Sequence, residues 1–154
     1  MATEIERKFL VKNEGWRGLG TGTVYRQGFL STVKERVVRV RIAGDKGTLT
    51  VKGASNGITR AEYEYEIPIS DAEALLSGLC EQPIIEKTRY RIELGSHVWE
   101  VDEFEGVNKG LIIAEVELES EQQAFELPEW VGADVSDDDR YFNSNLIQNP
   151  FSKW

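Results

Sequence analysis

Carboxylates stand two residues apart at Glu4 and Glu6 and again at Glu115 and Glu117, and arginines do so at Arg39 and Arg41. On an extended strand such pairs share one face, with Cα atoms about 6.6–7 Å apart. Two carboxylates so placed can turn their oxygens onto one Mg2+ or Mn2+ ion, which takes hard oxygen donors at about 2.0–2.2 Å. The guanidinium groups of Arg39, Arg41 and Arg89 can grip phosphoryl oxygens with paired N–H donors, whereas Lys8, Lys52 and Lys87 act as compact point charges. The chemistry these types share is the handling of a polyanion together with its metal cation. With one cysteine, Cys80, and one histidine, His97, zinc sites and Cys/His or Ser/His/Asp machinery are nearly excluded.

The elements that must position these residues read as short strands. Period-two stretches run over 3–11, 24–31, 36–43, 47–52, 59–67, 84–93, 97–104 and 111–119. Gly44–Gly47, Gly53–Gly57 and Gly95-Ser96 are the turn signals between them. A helical period over 70–80 opens on the capping box Ser70-Asp71-Ala72-Glu73. Ser120-Glu121-Gln122-Gln123 predicts a second short helix, and 139–149 a final one. The stretch Gly18–Gly22 lacks the spacing of a phosphate loop and reads as a flexible connection.

Any antiparallel sheet with one wet face alternates charged and apolar residues, and each strand alone needs no other explanation. The set is different, because the signs segregate. Basic residues dominate the charged faces of the third, fourth and sixth strands: Arg39 and Arg41, Lys52, then Lys87 and Arg89. Acidic residues dominate the first, fifth, seventh and eighth: Glu4 and Glu6, Glu62 and Glu64, Glu100 and Asp102, Glu115 and Glu117. If the sheet closes with these faces inward, its interior is a polar channel with an acidic and a basic sector. Buried charge of one sign is costly without partners, so the cations need the carboxylates or a bound anion.

The 154 residues are expected to form one domain, 1–154. A net charge of −9 argues against a general nucleic-acid binder. No apolar stretch reaches the roughly 18 residues of a membrane span. The charged opening Met1–Lys8 and the lone cysteine predict a cytoplasmic protein. His97 is expected at the surface, Cys80 in packing, Trp99, Trp130 and Trp154 in an outer coat, and Trp16 in a loop.

In order along the chain, Glu4-x-Glu6-x-Lys8, Arg39-Val40-Arg41, Lys52, Arg60-Ala61-Glu62-Tyr63-Glu64, Lys87-Thr88-Arg89, Trp99-Glu100-Val101-Asp102 and Glu115-Val116-Glu117 resemble the motifs of the CYTH superfamily, the triphosphate tunnel metalloenzymes. The stretch Asp139–Leu146 is similar to the C-terminal pattern of its small bacterial members. The resemblance implies a mainly β, α+β fold: a closed eight-stranded antiparallel β-barrel, or tunnel, with helices packed outside. It implies a divalent metal, Mg2+ or Mn2+, and a small-molecule triphosphate as partner, with no nucleic acid and no membrane. Monomer and homodimer both stay open. By position, Lys8, Arg39, Arg41, Lys52, Lys87 and Arg89 would bind the phosphate chain, and Arg140 would close the tunnel. Glu4, Glu6, Asp102, Glu115 and Glu117 would hold metal, supported by Glu62 and Glu64.

The expected catalytic residues are Lys87, Glu6 and Lys8. Lys87 is the candidate base, since a lysine among cations loses its proton more easily; binding phosphate only is its alternative role. The leading activity is hydrolysis of inorganic tripolyphosphate, because no aromatic slot for a base is evident beside the phosphate strands. Class IV adenylate cyclisation, thiamine triphosphate hydrolysis and non-catalytic polyphosphate or nucleotide binding are the alternatives.

Overall fold

The computed structural model describes residues 2–154. The strands are β1 (Thr3–Val11), β2 (Thr21–Ser31), β3 (Val37–Ala43), β4 (Lys46–Lys52), β5 (Thr59–Ile67), β6 (Ile85–Leu94), β7 (His97–Phe104), β8 (Ile112–Glu117) and β9 (Val131–Asp134). The helices are α1 (Ile69–Gly78) and α2 (Asn143–Leu146). Strands pair in the order β5-β4-β3-β2-β6-β7-β8-β1, and β1 pairs back onto β5. The result is the expected closed, antiparallel, eight-stranded barrel. Closure is brief: Thr3, Glu4 and Ile5 face Ala61, Arg60 and Thr59. The same edge of β1 then takes β9, a strand the sequence reading missed, through Phe9 and Val11. Tight turns at Gly44 and Gly95 use φ of 61° and 63°, a left-handed conformation that favours glycine.

Apolar side chains of the outer face are covered in two places. Helix α1 lays Ala72 and Leu76 on Val40 and Ile42 of β3, with Cys80 in the same cluster. Around the other side, Phe9, Ile92, Trp99, Val101 and Val116 pack with Trp16, Trp130 and Leu118. Trp16 and Trp99 are fully buried there, so both are outer packing.

The interior is not polar throughout. Val37 alternates with Arg39, Ile85 with Lys87, Phe104 with Asp102 and Ile113 with Glu115, so these apolar residues share the inward faces of the charged ones. They pack with Phe29 and with Tyr141, Leu146 and Ile147 of the C-terminal segment. One end of the barrel is therefore plugged by an apolar cluster, and the other keeps the charges.

Four local expectations change. Helix α1 has no side-chain cap; Ser70 lies inside its first turn, and the Pro68 carbonyl accepts the amides of Asp71 and Ala72. The short helix expected at Ser120–Gln123 does not form. Gln123 turns back to accept the Glu119 amide at 2.6 Å, and Phe125 is drawn onto Phe9 and Trp99. The final helix is broken into a 3-10 turn at Asp139–Tyr141, the single turn α2 and a 3-10 turn at Phe151–Lys153, with Pro150 between the last two. Gly20 is packed rather than free, because a Cβ there would lie 2.1 Å from the Arg91 carbonyl oxygen.

Leu146 is 1% exposed within the plug. Leu146→Ala is expected to lower stability by about 2–4 kcal/mol in a urea titration. A loss under about 1 kcal/mol would show that the plug is not packed as described.

Candidate active site

The charged interior is a cavity of about 250 Å³. Its lining gathers twelve of the residues expected from the sequence: Glu4, Glu6, Lys8, Arg39, Arg41, Lys52, Glu62, Glu64, Lys87, Arg89, Glu115 and Glu117. Its mouth is marked by the exposed lining residues Ser55, Gly57, Glu64 and Glu117, and its floor by Phe29, Val37, Phe142, Asn143 and Ser144 next to the plug.

Through the middle of the cavity wall, cations and carboxylates satisfy one another. Lys8 Nζ contacts Glu115 and lies 3.2 Å from Glu6. Arg89 reaches Glu115 at 3.1 Å and forks onto both oxygens of Asp102 at 2.7 and 2.8 Å. Lys87 Nζ lies 2.8 Å from Asp102 Oδ2. Burial opposes the charge on Lys8 and Arg89, but their carboxylate partners overcome it and hold both above their ordinary ranges. Glu115 and Asp102 are held low against the pull of burial: Lys8 and Arg89 act on the first, Arg89 and Lys87 on the second. Lys52 similarly joins Glu4 at 3.0 Å to Glu62 at 3.3 Å.

Two groups are left in deficit. On one wall, burial followed by Arg41 and Arg89 lowers Arg39 to about 10. Among the described residues, the buried Nε atoms of Arg39 and Arg41 have no hydrogen-bond partner, and neither does Thr48 Oγ1 beside them. Glu64 is 3.4 Å from Arg39 and only 3.9 Å from Arg41. On the opposing wall, burial and neighbouring carboxylates raise Glu6, Glu100 and Glu117. Glu117 faces Glu6 across the β1–β8 pairing, and Glu100 faces Glu115 across β7–β8. The first wall lacks an anion and the second lacks a cation.

The donors on the second wall are all carboxylate oxygens, the set that suits Mg2+ or Mn2+. Among the described residues, no three acidic, histidine or cysteine side chains already converge on one point. A cation there would draw Glu4, Glu6, Glu100 and Glu117 together.

Two expected site residues fall elsewhere. Asp102 is 1% exposed and outside the cavity lining, with both oxygens engaged by Arg89 and Lys87. Arg140 does not line the cavity; it is exposed, pairs with Asp138 at 2.8 Å and lies over the Trp154 ring. The adjacent carboxylate two residues away captures it locally.

Other residues were missed. Glu100 alternates with Asp102, and that spacing could have placed it in the metal set. Asn143 carried no periodic signal; it arrives on α2, where its Oδ1 accepts from Lys87 at 2.9 Å and from Gln27 at 2.7 Å. An aromatic ring does sit beside the strands expected to bind phosphate, contrary to expectation: Tyr25 lies between Arg41 and Arg89.

The profile of the CYTH domain matches residues 2–144. The chain belongs to the CYTH family. It is 51% identical, over all of its length and 99% of the relative, to an inorganic triphosphatase of Acetivibrio thermocellus. An inorganic triphosphatase of Nitrosomonas europaea is 38% identical over 94% of this chain and 96% of its own. The fold superposes on a crystal structure of an inorganic triphosphatase with a TM-score of 0.68 at 36% identity, covering 96% of this chain and 95% of that one. The charge-lined barrel of this CYTH chain is thus a family architecture, and its residues can be tested as such.

Arg39 is held charged in a place that disfavours its charge, so its removal should help the empty fold. Arg39→Met is expected to raise Tm without ligand by about 2–4 °C and to weaken tripolyphosphate binding in calorimetry. A fall in Tm together with unchanged binding would contradict the anion deficit.

Proposed function

We propose that this protein is a metal-dependent inorganic triphosphatase of the cytoplasm, converting tripolyphosphate and water to pyrophosphate and orthophosphate with Mg2+ or Mn2+. The observation that carries this reading is the pair of opposite charge deficits facing one cavity. A metal–triphosphate complex brings anion and cation together and supplies both. The size agrees: about 250 Å³ lies below the roughly 300–1,000 Å³ of pockets that enclose drug-sized ligands. A volume of that size can enclose an inorganic anion whole, whereas a nucleotide or a thiamine ester would have to leave its organic group at the mouth. The two curated relatives bear the same activity in their names.

Arg39, Arg41, Lys52 and Arg89 bind and align the phosphate chain, since phosphoryl transfer depends on positioning and charge neutralisation. Glu4, Glu6, Glu100 and Glu117 hold the metal, which when bound neutralises phosphoryl oxygens and polarises the phosphorus. Lys8, kept protonated by Glu115 and Glu6, adds fixed positive charge that would stabilise the negative charge building on the leaving oxygen. Glu6 joins these two tasks through its 3.2 Å contact with Lys8.

Lys87 takes the proton of the attacking water. It is 3% exposed at the floor of the cavity, and Asp102 and Asn143 each accept one of its N–H bonds. A neutral amine has two N–H bonds and one lone pair, so these acceptors leave the lone pair free to act. As the water oxygen bonds to the terminal phosphorus, its proton moves to Lys87 Nζ. The bridging P–O bond breaks with its electrons on the departing pyrophosphate.

Burial, reinforced by Arg89, lowers Lys87 to about 8. Below that pH the base of the free enzyme is protonated and idle, so kcat/KM should rise with pH and level off above about 8. Lys87→Arg cannot supply a neutral base and is expected to lose about 100-fold or more in kcat, with the acid limb gone. Unchanged turnover across the pH range would leave Lys87 a phosphate ligand only.

The substrate assignment is tested by release assays with tripolyphosphate, ATP, thiamine triphosphate and pyrophosphate, each with Mg2+, Mn2+ and Ca2+. Orthophosphate and pyrophosphate should come fastest from tripolyphosphate. Cyclic AMP from ATP, or tight binding with no turnover, would overturn the assignment.

A further inference from the structure

Strand β2 lies between β3 and β6 in the barrel. Tyr25 on β2 is opposite Ala43 of β3 and Lys87 of β6. Its diagonal neighbours, two residues along each partner strand, are Arg41 and Arg89, and such diagonals are within reach of an aromatic ring. The guanidinium carbons of Arg41 and Arg89 lie 4.8 and 5.0 Å from the ring centroid. Within about 6 Å, the negative face of an aromatic ring attracts a cation.

The two arginines are otherwise held very unequally. Arg89 is fixed by the Asp102 fork and by Glu115. Arg41 has only Glu64, at 3.9 Å, and its buried Nε has no partner among the described residues. Arg39 on the same strand repels it. A freely mobile Arg41 would swing away from its like-charged neighbours, toward the mouth where Glu64 is exposed.

We propose that Tyr25 is a positioning residue that holds the Arg41 guanidinium against the cavity wall, beside Arg89, so that both meet the phosphate chain. The ring face does this, and the hydroxyl is not required. The role rests on the reading of the cavity as a triphosphate site. It places Tyr25 in substrate alignment and leaves proton transfer to Lys87.

The test compares the unaltered chain with Tyr25→Leu, Tyr25→Met and Tyr25→Phe. Three quantities are measured: kcat and KM for tripolyphosphate with Mg2+, Kd for tripolyphosphate by calorimetry in EDTA, and Tm. Tyr25→Leu should raise KM and Kd about tenfold, with kcat within about twofold. Tyr25→Met fills similar space without a ring and should match it, which keeps the test valid should the leucine variant fail to fold. Tyr25→Phe should restore affinities near those of the unaltered chain. In an Arg41→Gln background, which has no cation for the ring to hold, Tyr25→Leu should add little further loss. Unchanged KM and Kd in the leucine and methionine variants would overturn the proposal. So would a phenylalanine variant as weak as leucine, or an undiminished loss in the Arg41→Gln background. Should the unaltered chain bind tripolyphosphate without hydrolysing it, the triphosphatase reading fails, and the Kd series alone decides the role of Tyr25.

Discussion

Lys8, Glu115, Arg89, Asp102 and Lys87 form one unbroken chain of ion pairs across β1, β8, β7 and β6, inside the barrel. Each ion taken out of water costs several kcal/mol, and a lone one would unfold the protein or give up its charge. Alternating partners offset that cost, with hydrogen bonds on both sides of most links. The chain thus lets a closed sheet carry charge on its concave face. It also separates two sets of residues that are only weakly compensated: Arg39 and Arg41 on one side, held only by Glu64 at 3.4 and 3.9 Å, and Glu6, Glu100 and Glu117 on the other, where Lys8 reaches Glu6 at 3.2 Å and Arg89 reaches Glu100 at 3.4 Å. Were these free to collapse onto each other, there would be no cavity. In the proposed reading, keeping them apart leaves room for an anion and a cation to be taken up together.

The outer surface has to supply the stability that such an interior does not. Apolar residues alternate with the charged ones, and α1, the tryptophan-rich cluster and β9 cover them. The plug adds a second contribution, because Tyr141, Leu146 and Ile147 seal one end against Phe29, Ile85 and Phe104. It also has chemical consequences. Anchoring the C-terminal segment there brings Asn143 to Lys87 and Gln27, so one of the two acceptors of the proposed base is placed by packing far along the chain. Stability of the plug and geometry of the base are therefore linked.

Strand alternation made most of this readable from the sequence. Glu4, Glu6 and Lys8, or Glu115 and Glu117, advertise their shared face by spacing alone, and sign segregation separates an interior from a wet exterior. The same rule exposes the limits. Period-two logic marks Asp102 and Glu100 as equivalent, yet only the fold shows that Arg89 and Lys87 consume Asp102. Ser70 and Ser120 carry helix-start patterns, but Pro68 set one start and the pull of Phe125 onto the core cancelled the other. Arg140 sits in a motif-like tail and is captured by Asp138. Asn143 and Tyr25 depend on contacts between distant segments or across strand diagonals, which no local pattern encodes.

The central claim is that anion and cation occupy opposite walls of one cavity. Anomalous diffraction from crystals soaked with Mn2+ and tripolyphosphate tests it most directly. The manganese peak should lie among Glu4, Glu6, Glu100 and Glu117, with the phosphate chain running along Arg39, Arg41 and Arg89. Manganese on the outer surface or at Asp102, or phosphate density outside the barrel, would contradict the account.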